Sequence, residues 1–173
     1  MVFHENHLGF FAPEIVYVEK ENHNTDHISV ELKEPIKAIG HWQAVSNRFS
    51  QICKAIWINR EDFSKVDQLT AYLRKMYDEK VSLSTGAPGS IEVMPVGVSK
   101  QSGLMKLVEY LQIPIESVMV FGDQINDLAM MEAAGLSIAM GNAIDQVKEA
   151  ADYVIGTNNE EGVAQFLIDF FSL

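Results

Sequence analysis

Apolar residues recur along the chain with changing periods, and the texture shifts near residues 94–97. Within residues 64–77, Val66, Leu69, Leu73 and Met76 recur at steps of three and four, which puts them on one face of a helix. Ahead of it, residues 14–20 (EIVYVEK) and 54–59 (KAIWIN) are rich in β-branched and aromatic side chains and predict strands. Behind it, residues 81–85 and 90–94 alternate as strands. Gly86-Ala87-Pro88-Gly89 between them predicts a hairpin turn. Strands around a helix make residues 1–93 a small α+β unit.

Residues 94–173 follow a cleaner rule. Residues 100–111 predict a helix with Leu104, Leu107, Val108 and Leu111 on one face. Residues 117–121 (SVMVF) form a continuous apolar run, as expected of a strand buried on both faces of a parallel sheet. A helix over 124–134, a strand over 136–140 and a break at Gly141-Asn142 follow. Then come a helix over 143–151, a short strand over 153–155 and a helix over 160–171. In that last helix Val163, Phe166, Leu167, Phe170 and Phe171 share a face. Alternating helices and strands with short connections predict an α/β fold with a parallel sheet. The chain holds no internal repeat and no linker-like tract.

Composition narrows the class. With 47% hydrophobic and 21% charged residues in 173, disorder and low complexity are excluded. The net charge of −11 leaves no basic footprint for nucleic acid. An anion would then need a local device: a metal ion, a lysine or a helix N-terminus. Cys53 is the single cysteine, so there is no intramolecular disulfide framework and no cysteine zinc cluster. It is expected to be a small buried hydrophobe. Residues 1–11 carry no positive charge ahead of their apolar residues, unlike a signal peptide. Charges interrupt every long helical stretch, so no membrane span is expected. These features together point to a cytoplasmic protein.

Ligands of open α/β sheets bind at the carboxyl ends of the strands. The 117–121 strand ends in Gly122-Asp123-Gln124-Ile125-Asn126-Asp127. Gly122 allows a tight turn. Asp123 and Asp127, four apart across a helix start, can face one space. Alone, Asp123 reads as a helix cap and Asp127 as a first-turn acid. Together with Asn126 they suit a hard cation such as magnesium, which takes oxygen ligands and keeps waters. Lys100 follows Ser99, a candidate cap, so its cation opposes the helix dipole at a cost of about 0.3–1 kcal/mol. It reads either as an anion-binding lysine or as a side chain bending into water. His23 and His27 would pair on a helix, but residues 21–26 read as a turn or loop. His4, His7 and His41 read as surface or boundary residues.

These residues carry a family resemblance. Gly97-Val98-Ser99-Lys100, the run from Val120 to Met130, Ala134-Gly135, Ala139-Met140-Gly141-Asn142-Ala143, Ala150-Ala151-Asp152-Tyr153-Val154 and Glu161-Gly162-Val163 resemble the C-terminal half of a Cof-type phosphatase of the haloacid dehalogenase (HAD) superfamily. The resemblance runs from about residue 80 onward in order and spacing; residues 1–80 share only the texture of that family's cap. It implies an α+β cap, residues 1–93, that selects the substrate, and the second half of a Rossmann-type core, residues 94–173. It implies that Lys100 neutralises the substrate phosphoryl group and that Asp123 ligates Mg2+ directly. It further implies that Asp127 serves the metal through its waters or supports the lysine, and that Asn126 is a polar contact in the phosphate site. The implied reaction is hydrolysis of a small phosphorylated metabolite through an aspartyl-phosphate.

One departure is large. None of the nine Asp residues lies in an Asp-x-Asp-x-Thr motif, the nucleophile signature of that family. The chain is therefore expected to lack the first core segment, to bind magnesium weakly and to show no turnover alone. The strand at 117–121 would present an apolar edge, which predicts self-association or dependence on a separate N-terminal segment. The alternative is a non-catalytic binding, regulatory or partner-completing module derived from the same family.

Overall fold

The computed structural model describes residues 7–31, 33–41, 43, 52–85 and 88–173. The chain divides after Gly97 into two compact units.

Among the described residues, unit 1 holds one sheet of six strands, β1 His7–Ala12, β2 Ile15–Val18, β3 Ile36–Ala38, β4 Lys54–Ile58, β5 Val81–Ser84 and β6 Ser90–Pro95. Their order is β3-β2-β1-β4-β6-β5, with β2 and β3 parallel and every other neighbour antiparallel. Helix α2 (Phe63–Tyr77) starts at Asp62, whose carboxylate accepts the Ser64 N–H at 3.1 Å. Its stripe Val66, Leu69 and Leu73 buries against Ile91, with Trp57, Leu83 and Val93 around it. The turn residues Gly86 and Ala87, like His4, lie outside the described residues.

Two expectations for this unit need correction. Residues 23–26 are not a loop: helix α1 (His23–Asp26) continues into a wider helical turn over His27–Glu31, and only Glu21 and Asn22 stay outside it. Burial of Ile28 against Val16, Val18, Ile56 and Ile58 overrides the local turn propensity. Cys53 is exposed, not buried. It lies just ahead of β4, where its N–H donates to the Phe11 carbonyl at 2.7 Å, and the backbone bond leaves the side chain outside the sheet's core.

Unit 2 contains a three-stranded parallel sheet in the order β7-β8-β9. Its strands are β7 Met119–Gly122, β8 Leu136–Ala139 and β9 Tyr153–Val154, and its helices α3 Lys100–Leu111, α4 Leu128–Ala133, α5 Asp145–Ala150 and α6 Gly162–Phe171. Val120 and Ala139 pack with Met131, Ala143 and Val147. Phe121 and Tyr153 meet the ring of Phe166 from α6, with centroids 6.2 and 5.7 Å away. The parallel register puts Phe121, Ile138 and Tyr153 in one row. The Asp152 carboxylate accepts both the N–H and the hydroxyl of Ser137 at 2.8 Å, which ties β8 to the segment entering β9.

Element bounds differ from expectation at two places. Ser117 ends a tight turn over Ile115–Ser117, and the strand proper begins at Met119. The helix expected over 124–134 is a separate turn, Ile125–Asp127, followed by α4. The break is chemical: Asp127 turns its carboxylate back onto the loop that precedes it.

Candidate functional site: a lysine–carboxylate pair at the end of β7

The site is built from the two ends that the fold brings together inside unit 2: the first residue of α3 and the loop leaving β7. Ser99 caps α3. Its hydroxyl accepts the Ser102 N–H at 3.0 Å, and the Ser102 hydroxyl takes the Ser99 N–H at 2.9 Å. This reciprocal cap holds Lys100 at the first helical position, where its charge opposes the helix dipole. The compensation is visible. Lys100 Nζ donates to Asp127 Oδ1 at 2.5 Å.

Asp127 is 2% exposed and fully engaged. Its Oδ1 takes the lysine, and its Oδ2 accepts the N–H groups of Asp123 at 3.0 Å and Gln124 at 3.1 Å. Burial pushes this carboxyl up. The Lys100 hydrogen bond, the two backbone N–H donors and the lysine's charge outweigh it and hold Asp127 below the ordinary carboxylate range. Asp127 is therefore an anion that fixes the lysine and the β7 loop at once. The lysine side chain is 49% exposed, so the pair has one wet face and one dry one.

Gly122 has a different reason from the tight turn expected of it. A Cβ there would lie 2.5 Å from Met131 Sδ and 2.7 Å from Asp127 Cβ. Only a residue without a side chain lets Asp127 lie over the strand end. The loop is secured further by backbone bonds that sequence reasoning did not single out: Met140 N–H to the Gly122 carbonyl at 3.0 Å, and Ile144 N–H to the Asp123 carbonyl at 3.1 Å. The break at Gly141-Asn142 was the only sequence signal for that second loop.

Asp123 and Asn126 complete the candidate set. The Asp123 side chain is half-buried and takes no hydrogen bond among the described residues, whereas its backbone N–H and C=O are both engaged. Asn126 Oδ1 is buried without a partner. A carboxylate and an orphaned amide oxygen are the oxygen donor types a hard cation takes while keeping most of its waters. The fit is partial, since no cluster of three or more His, Cys, Asp or Glu that could hold a metal occurs among the described residues. His23 and His27 share a helical stretch after all, and His23 Nε2 lies 3.0 Å from Glu61.

A parallel α/β sheet with a lysine–carboxylate pair at a strand end defines a class, and the comparisons give it a family. The family model described as haloacid dehalogenase-like hydrolase matches residues 2–167, and the chain belongs to that family. It is 43% identical over 105 residues to the 5-amino-6-(5-phospho-D-ribitylamino)uracil phosphatase YcsE of Bacillus subtilis, covering 61% of this chain and 41% of that one. It is 46% identical over 77 residues to the pyridoxal phosphate phosphatase YbhA of Escherichia coli, covering 44% of this chain and 28% of that one. A haloacid dehalogenase-like hydrolase from Bacteroides thetaiotaomicron has the same fold, with a TM-score of 0.79 and 25% identity over 95% of this chain and 61% of the other. The match to the curated relatives thus spans less than half of their length. No helix among the described residues is long and apolar enough to cross a membrane.

Proposed function

We propose that this chain carries the phosphate-binding part of a phosphate-monoester hydrolase, with a cap in residues 1–93 and the core's second half in residues 94–173. The observation that carries this reading is the Lys100–Asp127 pair at the carboxyl end of β7, next to Asp123. Relatives whose names make them phosphatases of two unlike phosphorylated metabolites support the reaction class and leave the substrate open.

Lys100 presents its exposed face to the substrate phosphoryl oxygens and neutralises charge there. Asp127 is a positioning residue: it holds the ammonium in place and fixes the N–H groups of the loop. Asp123 and the Asn126 amide oxygen would hold Mg2+, with Asp127 serving it only through waters. Bound there, the ion would supply charge neutralisation on the phosphoryl group. The single cysteine accords with a reducing, cytoplasmic setting.

The reading includes no turnover by the chain alone, because no Asp-x-Asp-x-Thr is present in its sequence. A second reading, a partner-completing module, is favoured by the surface of unit 2. Strand β7 is an edge of its sheet among the described residues, and Leu107, Tyr110 and Leu111 on α3 and Phe170 and Phe171 on α6 are exposed. Such an edge invites pairing with another strand, from a second copy or from a separate core segment.

One assay separates the two readings. Hydrolysis of a generic phosphate monoester is measured with and without magnesium, beside Asp123→Ala. Turnover that needs magnesium and disappears in the variant would show a nucleophile elsewhere in the chain and overturn the expectation of inactivity. Rates equal to the variant's support the incomplete-site reading, and added core segment carrying the missing motif should then restore turnover. Failure of that restoration would overturn the partner-completing reading and leave a non-catalytic binding role.

A further inference from the structure

A corner of unit 1 that takes no part in the site above depends on the protonation state of a histidine. Asn22 Oδ1 accepts the Asn24 N–H at 2.9 Å. A backbone N–H can only donate, so the amide nitrogen of Asn22 must be the atom facing His7 Nδ1, 3.0 Å away. That nitrogen can only donate as well. His7 Nδ1 must therefore offer its lone pair, which makes His7 neutral with its proton on Nε2.

The same asparagine starts α1. Its N–H donates to Thr25 Oγ1 at 2.9 Å, and its carbonyl accepts the Thr25 hydroxyl and N–H, both at 2.8 Å. Asn24 is held beside it, but the same logic does not carry over to His23, whose Nε2 meets both a donor and an acceptor. Asn24 is 1% exposed, and its Oδ1 accepts the Arg60 N–H at 2.8 Å. Its amide nitrogen consequently faces His23 Nε2 at 3.0 Å, and the Glu61 carboxylate lies 3.0 Å from the same ring atom. The chain of bonds links β1, α1 and the loop between β4 and α2.

We propose that His7 and Asn22 form a proton-operated latch on α1, closed while His7 is neutral and released when a solvent proton occupies Nδ1. The added proton takes the lone pair that the Asn22 amide needs, so that hydrogen bond is lost and two donors face each other. The charged groups around His7 are Lys20 and Glu19 after β2, His23 on α1 and Glu61 ahead of α2. Burial, Lys20 and His23 push the imidazole below its ordinary value of 6.5, against the opposing pull of Glu19 and Glu61. The neutral form is thus favoured by folding, and the latch contributes stability above pH 6.5 that is lost as pH falls through the folded value.

The test is a histidine-ring nitrogen–proton correlation spectrum of the 173-residue chain from pH 8 to pH 5, with amide exchange of residues 24–26 followed in parallel. At pH 8 His7 should be the Nε2–H tautomer. It should titrate below 6.5, and protection of those amides should drop at the same midpoint. Asn22→Asp, which faces Nδ1 with an acceptor, should move the midpoint above 6.5. His7→Asn, which keeps an acceptor that cannot titrate, should abolish the drop at that midpoint. An Nδ1–H tautomer in the wild type, a midpoint at or above 6.5, or an unchanged drop in His7→Asn would each overturn the latch. The wild-type spectrum decides alone if either variant fails to fold.

Discussion

Helices α2 and α3 make an instructive pair. Both carry apolar residues at three- and four-residue steps and both begin with a side-chain cap, but α2 lies on strands β5 and β6 whereas α3 lies on α4 and the Ile125–Asp127 turn. In α2 three of the four stripe residues are covered: Val66 is 3%, Leu69 0% and Leu73 6% exposed, and only Met76 in the last turn is open, at 50%. In α3 only Val108 is buried, while Leu107 and Leu111 stay about half exposed at 52% and 51%. Period alone assigns a face to a helix. What lies opposite that face comes from other segments, and for α3 the described residues supply too little of it.

The largest effect should come from the covered stripe. Leu69→Ala should cost about 2–5 kcal/mol, since a fully enclosed leucine leaves a cavity. Leu107→Ala, by the same substitution on the open stripe, should stay within about 0.5 kcal/mol. Denaturant unfolding followed by tryptophan fluorescence and circular dichroism checks both, and equal losses would erase the distinction between the helices.

Next in size is the strand end beneath the lysine. Gly122→Ala forces Met131 and Asp127 aside and should cost about 1–3 kcal/mol, by the penalty of overpacking. Loss of the Lys100–Asp127 contact should accompany it, seen as altered Lys100 ammonium signals in the nuclear magnetic resonance spectrum.

Asp127→Asn removes an ionised acceptor from three donors and should cost about 1–3 kcal/mol at neutral pH. The sign with pH follows from its lowered value. The wild-type contribution is fully present above the ordinary carboxyl value of 3.8 and is lost as pH falls through the lower folded value. Melting curves between pH 7 and pH 2.5 should therefore converge for wild type and variant at the acid end. Curves that stay parallel would deny Asp127 its charge-dependent role.

The smallest effect on stability belongs to the open surface. Leu111→Lys with Phe171→Lys should change unfolding free energy by no more than about 0.5 kcal/mol. Sedimentation of the same double variant should nevertheless shift toward monomer if the α3 and α6 surface pairs with a second copy.

The legible parts of this molecule were those whose signal is local. The stripe of α2, the alternating β5 and β6, the cap at Ser99 and the carboxylates after β7 all announce themselves within a few residues, because caps and periodic faces are short-range devices. Residues 23–26 differ from the local expectation for the opposite reason. Asn, His and Asp favour turns locally, and it is Ile28, buried under strands far away in sequence, that keeps the segment helical. Cys53 was misread because residue type predicts burial only on average, whereas its place just ahead of β4 decides it.

The amino-acid sequence by itself determined the order of elements in residues 94–173, the family and the identity of the charged residues at the strand end. These follow from patterns that any fold of the chain must respect. The tertiary structure alone decided that Asp127 spends both oxygens on Lys100 and the loop, while the Asp123 side chain takes no hydrogen bond among the described residues and the Asn126 oxygen is buried without a partner. It also decided that Gly122 is glycine to make room rather than to turn. Which of two equal stripes becomes core was likewise settled in three dimensions. Such outcomes depend on which atoms arrive opposite one another across long stretches of chain, and no local pattern records that.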